Sequence, residues 1–195
     1  MTVWIVVGLL ILVAMFSIVV YNKLVTLKNR FRNGFAQIDV QLQRRHDLIP
    51  NLVETAKAYL SHEQNTLVQL SEARSSAVAA KQQAKQNPEN PGTMNLLSQA
   101  ENMLTQALGR FYAVAENYPD LKANDIIVNL MEELSSTENR IGFARQAYND
   151  FVLDYNTYRE QFPVNLVVVA FPSFKEAAAF EVENSDVRQA VKVQF

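Results

Sequence analysis

From Val3 to Val20 the chain reads VWIVVGLLILVAMFSIVV, an apolar run relieved only by Gly8 and Ser17. At 1.5 Å per residue, roughly 18 to 20 such residues just span a hydrocarbon core of about 30 Å. Trp4 and Tyr21 bracket the run, where amphipathic rings favour the membrane–water boundary. Residues 1–22 are therefore expected to form a transmembrane anchor. A cleavable signal peptide would carry a basic leader and a small-x-small cleavage site, and the run has neither.

Behind it, apolar residues recur at helical spacing in four stretches. Leu24, Leu27, Phe31, Phe35, Ile38 and Leu42 mark the first, and Leu52, Ala56, Tyr59, Leu60, Leu67, Leu70 and Ala77 the second. The third carries Leu97, Ala100, Leu104, Leu108, Phe111, Ala115 and Tyr118. The fourth runs Ile127, Leu130, Leu134, Thr137, Ile141, Ala144, Tyr148, Phe151, Tyr155 and Tyr158. NPENPG at 87–92 reads as a loop, Tyr118-Pro119-Asp120 as a tight corner, and Phe162-Pro163 as the end of the last helix. Ile49-Pro50 fits either a kink or a corner, and a corner is preferred. Asp47 would cap the new helix with Pro50 in its first turn, and Arg44 and Arg45 would complement the dipole at the end of the helix before. The expected fold is all-α: an anchor, then an antiparallel four-helix bundle over residues 23–162. The tail, 163–195, changes character. NLVVVAF at 165–171 is rich in β-branched residues and VKVQF closes the chain, so this segment is expected to pack along the bundle, extend as a strand or bind a partner. A C-terminal Phe195 carboxylate could also dock in a PDZ-like cleft.

Charge sharpens the picture. The net charge of −2 hides a basic collar, in which Lys23, Lys28, Arg30, Arg32, Arg44 and Arg45 stand against the single Asp39. Basic residues beside an apolar run mark a membrane boundary rather than a nucleic-acid-binding face. The collar puts the domain in the cytoplasm and the N-terminus across the membrane, with Lys23, Lys28, Arg30 and Arg32 placed to meet anionic lipid headgroups. The absence of cysteine excludes a disulfide framework, a thiolate metal site and a cysteine nucleophile.

The segment IDVQLQRRHDLIPNLVETAKAYLSHE, preceded by YNKLVTLKNRF and followed by YPDLKA, TENRIGFARQAYNDFVLDYN and FP, resembles the LemA family over nearly the whole chain. The resemblance implies a bacterial-type single-pass membrane protein with a helical-bundle domain and no established catalytic activity. Related proteins on magnetosome membranes suggest a role in membrane organisation. The chain departs from the family pattern at NGFAQ, 33–37, where Ala-Trp is commoner and Gly34 would loosen the turn, and at the more apolar DIIVNL, 125–130.

Catalytic signatures are sparse. His46 and His62 are sixteen residues apart and make no His-Glu-x-x-His pair, so no metal site or cofactor is expected. Glu132, Glu133, Glu138 and Arg140 read as an exposed face, lacking the Glu-x-x-His of di-iron bundles. Tyr148-Asn149 and Tyr155-Asn156 lie seven residues apart, with Tyr158 and Phe162 on the same stripe. That stripe is either core packing, the preferred reading, or a docking groove for a partner helix. The chain is thus expected to be a non-enzymatic adaptor or scaffold at the inner membrane, contacting lipids and an unidentified protein partner. The rivals are a membrane-organising homo-oligomer and a hydrolase-like enzyme using Arg44, Arg45, His46 and Asp47.

Overall fold

The computed structural model describes residues 1–181, and the described residues contain helices and no strand. The helices are α1 (Thr2–Lys57), α2 (Gln64–Gln86), α3 (Pro91–Ala115), α4 (Pro119–Lys122), α5 (Asp125–Glu160) and α6 (Val164–Ala170). α1, α2, α3 and α5 form the antiparallel bundle, with α1 packed mainly along α5 and α2 along α3. The VKVQF terminus and the Phe195 carboxylate lie outside the described residues.

One expectation fails at Pro50. There is no corner at Asp47–Pro50: α1 runs unbroken through the proline to Lys57. The core-facing positions explain why. Ile38, Leu42, Ile49, Leu52, Val53 and Ala56 are all buried, so the apolar stripe continues across the proline while its ring faces solvent. Tertiary burial of that stripe outweighs the roughly 3 kcal/mol preference against proline inside a helix. Asp47 is accordingly no cap; its exposed carboxylate accepts from Gln43 Nε2 four residues back, at 2.7 Å.

The turn itself lies at 58–63, in a stretch with no proline or glycine. The neighbouring corner holds it: Asn124 Nδ2 donates to Tyr59 Oη at 2.9 Å, and Tyr118 Oη donates to Glu63 at 3.3 Å. Elsewhere the caps follow the sequence. The Asn90 side chain accepts from Gly92 N with Pro91 in the first turn, and Asn124 accepts from Ile126 N and Ile127 N.

Of the alternatives for the NLVVVAF stretch the extended strand is not found: Val164–Ala170 form a short helix, α6. Val164 is buried and Val167 and Val168 pack against the core, so a helical turn seats three valines where alternation would seat fewer. Gly34 does not loosen α1 either. A Cβ there would stand 2.9 Å from Phe151 Cδ2 and 3.3 Å from Tyr148 Cα, so glycine lets α1 approach α5 closely.

Candidate functional site

Two constellations stand out, one inside the bundle and one on its flank. The inner one begins with Pro50. Its missing N–H leaves the His46 carbonyl without its helical donor. Arg74 of α2 supplies one: its Nε donates to His46 O at 3.0 Å. The proline thus creates an acceptor that docks α2 onto α1.

Beside it, Arg45 and His46 point into the core at 2% and 0% exposure. Both meet Glu101 of α3, itself 3% exposed. His46 Nε2 lies 2.8 Å from Glu101 Oε1, and Arg45 Nη2 is 3.6 Å from Oε2. With Glu101 accepting, Nε2 carries the imidazole proton. Arg45 also donates to Thr105 Oγ1 at 2.9 Å and to Glu138 of α5. The Glu101 carboxylate therefore accepts from His46 and pairs with Arg45, and Arg45, through Glu101 and Glu138, ties α1, α3 and α5 together. One layer closer to the anchor, Lys81 of α2 pairs with Gln43 and, at 3.5 Å, with Asp39, which also binds Lys85 at 2.8 Å.

This geometry disperses the Arg44–Asp47 cluster. Successive helical residues point about 100° apart. Arg44 faces outward to Glu133 at 2.6 Å, Arg45 and His46 face inward, and Asp47 is exposed. The four side chains do not converge on a reactable point, and the two inward ones have no opening to solvent. His62 is exposed, far from His46 across the corner. Among the described residues no group of three or more His, Asp or Glu is placed to hold a metal ion.

The flank site lies along α1 and α5. Tyr148 and Tyr155 are buried against Phe31 and Phe35, with ring centroids 5.1 to 6.5 Å apart. Their hydroxyls donate to backbone carbonyls of the chain's own tail, Tyr155 to Lys175 O and Tyr148 to Ala178 O, each at 2.8 Å. The adjoining asparagines go further. Asn156 Nδ2 donates to Ala177 O at 2.8 Å while its Oδ1 accepts from Ala177 N at 3.0 Å. Asn149 does the same for Phe180, at 3.2 and 2.8 Å. Each amide closes on both backbone groups of one tail residue.

The spacing has a simple physical basis. Seven helical residues rise about 10.5 Å, and three residues of extended, polyproline-like chain rise about 9.3 Å. Asn149 and Asn156 therefore match Phe180 and Ala177. The same three-residue period buries Phe174, Ala177 and Phe180. Where the sequence offered core packing, the preferred reading, or a groove for a partner helix, Tyr148 and Tyr155 are buried and the stripe holds an extended segment of this chain. Burial pushes the Tyr155 hydroxyl up to about 12, and pushes the Tyr148 hydroxyl up further. Tyr158 is only partly buried, and Phe162 leaves the stripe altogether, 80% exposed beyond the end of α5.

The basic collar divides. Glu89, in the α2–α3 loop, binds Lys28 at 2.9 Å and Arg32 through its other oxygen. Lys28 also donates to Ser173 O at 3.0 Å. Both therefore pair within the protein, at positions where the sequence suggested lipid headgroups. Arg30 reaches Asp154 at 3.9 Å and lies over the Phe151 ring. Lys23 has no ion pair among the described residues. Trp4 is 80% exposed, as a residue of a bare span should be, whereas Tyr21 packs edge-on against Phe171 and Phe174 at 5.1 and 5.3 Å.

The sequence reading missed Glu101, Asn149 and Asn156 as partners. Glu101 carried a signal: it sits on the apolar stripe between Leu97 and Leu104, where a carboxylate is out of place.

Comparison with known proteins places these features. The model of the LemA family matches residues 34–195. The chain is 27% identical over 179 residues to magnetosome protein MamQ 2 of Paramagnetospirillum magneticum, covering 83% of this chain and 64% of that protein. It is 26% identical over 161 residues to magnetosome protein MamQ of Magnetospirillum gryphiswaldense, covering 73% and 58%. It is 24% identical over 168 residues to protein LemA of Metamycoplasma hominis, covering 85% and 72%. The chain thus spans less than two thirds of the length of the magnetosome relatives.

Proposed function

This chain belongs to the LemA family, and from that premise we propose that it is a membrane-anchored, non-enzymatic scaffold that holds another protein at the cytoplasmic face of the inner membrane. The observation that carries the proposal is the continuity of α1. Its first part is apolar and, Ser17 apart, exposed from Val3 to Val19, and its second part is the central stave of the bundle. No linker separates the two, so the bundle is carried at a fixed height above the bilayer. The collar of Lys23, Lys28, Arg30 and Arg32 supports the cytoplasmic orientation, because that bias acts on charge beside the span even where the side chains are later paired. The magnetosome names of the MamQ relatives support a place on a membrane.

A reporter active only in the cytoplasm, fused after Phe195, tests the orientation; an inactive reporter on protein that is expressed and membrane-bound would overturn it. The scaffold role is tested by photocrosslinking from Phe143 and Leu153, which are 73% and 64% exposed on α5. Crosslinks in native membranes to one reproducible heterologous protein support it. Crosslinks only between copies of this chain would favour the homo-oligomer, which the same two exposed apolar residues could also serve. No crosslink from any exposed bundle position would refute both.

A further inference from the structure

The base of the bundle carries an apolar stripe that packs against nothing among the described residues. Phe162, Leu166 and Val169, spaced by four and three residues, are 80%, 62% and 81% exposed. The opposite side of α6, Val164, Val167 and Val168, is seated on the core. From Gln161 to Phe174 there is no charged residue. Such a stripe facing water would be an aggregation hazard.

Its position says what covers it. Phe171, at the end of α6, packs edge-on against Tyr21 and lines an apolar notch with Ser17 and Ile18. Ser17 lies about 6 Å deeper along the helix axis than Tyr21, the residue at the boundary of the span. Val20 is 2% exposed, unlike the rest of the span, because the bundle's base wraps the last turn. Interfacial helices bury their apolar face about 5–10 Å into the boundary between headgroups and acyl chains. Phe171, which ends the helix that carries the stripe, is at that depth.

We infer that α6 and Phe162 lie in the interfacial layer of the bilayer, as a second membrane contact beside the span. The occupant of the stripe is lipid acyl chain. Because the segment is uncharged, the contact is apolar and indifferent to the headgroup charge that governs basic collars. Together the span and α6 give two points of attachment, which fix the rotation of the bundle about α1. The inference rests on the reading that α1 crosses the membrane.

The chain has no cysteine, so single labelling sites can be added cleanly. Leu166→Cys and Val169→Cys carry an environment-sensitive fluorophore in the full chain reconstituted in nanodiscs, whose two faces are both open to solvent. Leu10→Cys in the span and Ser76→Cys on exposed α2 are the references. The expected result is a blue shift, loss of emission with lipids bearing a nitroxide near the headgroup, and iodide quenching well below that at Ser76. The same values are expected in zwitterionic and anionic discs. Iodide quenching at 166 and 169 equal to that at Ser76, with Leu10 shielded, would overturn the inference and leave the span standing. Leu10 open to iodide would overturn both. Shielding from iodide without nitroxide quenching would mean that protein covers the stripe, and would also overturn it. A lipid-soluble diazirine applied to the unmodified protein gives an independent check. Adducts on residues 162–171 are expected, and their absence beside labelled span peptides would refute the inference.

Discussion

Pro50 and Arg74 are coupled through a carbonyl that neither owns. In the native chain His46 O has no donor four residues on, and Arg74 Nε fills the gap at 3.0 Å. Hydrogen bonds to charged groups contribute about 1.5–3 kcal/mol. Arg74→Met keeps the aliphatic stem and removes the donor, so it should cost that much. Pro50→Ala restores an N–H to the helix and relieves the ring clash, and should stabilise by up to roughly 3 kcal/mol less what Arg74 already recovers. In the Pro50→Ala background the carbonyl has its helical donor, and losing Arg74 should cost only a few tenths of a kcal/mol. The cycle therefore predicts a coupling of about 1–2.5 kcal/mol, above the roughly 0.3–0.5 kcal/mol within which independent sites add. Urea unfolding of the four proteins in nanodiscs, followed by far-UV circular dichroism, measures it. Additivity of the two substitutions would refute the idea that the proline creates Arg74's acceptor.

Four further outcomes are expected. Asn156→Ala removes both bonds to Ala177, about 1–3 kcal/mol in total, so amide exchange at Ala177 should quicken roughly 5- to 150-fold while α2 amides stay unchanged. Glu101→Ala leaves His46 buried without its partner and strips Arg45 of its buried counter-charge, and should cost about 3–5 kcal/mol, a melting-temperature drop of roughly 6–20 °C, whereas Glu138→Ala at a half-exposed position should cost under about 1 kcal/mol. Gly34→Val drives a side chain into Phe151 and the Tyr148 backbone and should destabilise by about 1–3 kcal/mol in the same unfolding assay. The Tyr155 hydroxyl, raised by burial to about 12 from an unfolded value of about 10, contributes stability that is full below pH 10 and lost as pH rises through 12; tyrosinate absorbance should therefore rise together with proteolysis of the tail.

How much of this was written legibly into the sequence depends on which physical signal each element uses. The helices were visible because burial imposes a three-four rhythm, whereas the caps at Asn90 and Asn124 emerge only in the structure. Pro50 misled because a proline states only what the backbone cannot donate. It does not say whether a neighbouring helix will make good the loss, and Arg74 is 24 residues away in sequence. The corner at 58–63 has no turn residue to announce it and is held by Asn124 and Tyr118 from another part of the chain. The buried network left a trace, since Arg45, His46 and Glu101 all interrupt apolar stripes, but two interruptions on separate helices look alike whether they face each other or solvent. The tail clasp was half visible. The seven-residue repeat of Tyr-Asn is plain, yet what it grips is backbone, and backbone has no sequence.

On the proposed reading that α1 crosses the bilayer, the helix behaves mechanically as a boom stepped through a deck. From Tyr21 to Ile49 it extends about 42 Å, and a tilt of about 20°, ordinary for a single span, carries Ile49 sideways by roughly 14 Å. With no hinge to absorb the angle, a change in bilayer thickness that reorients the span swings everything built on the helix through the same arc.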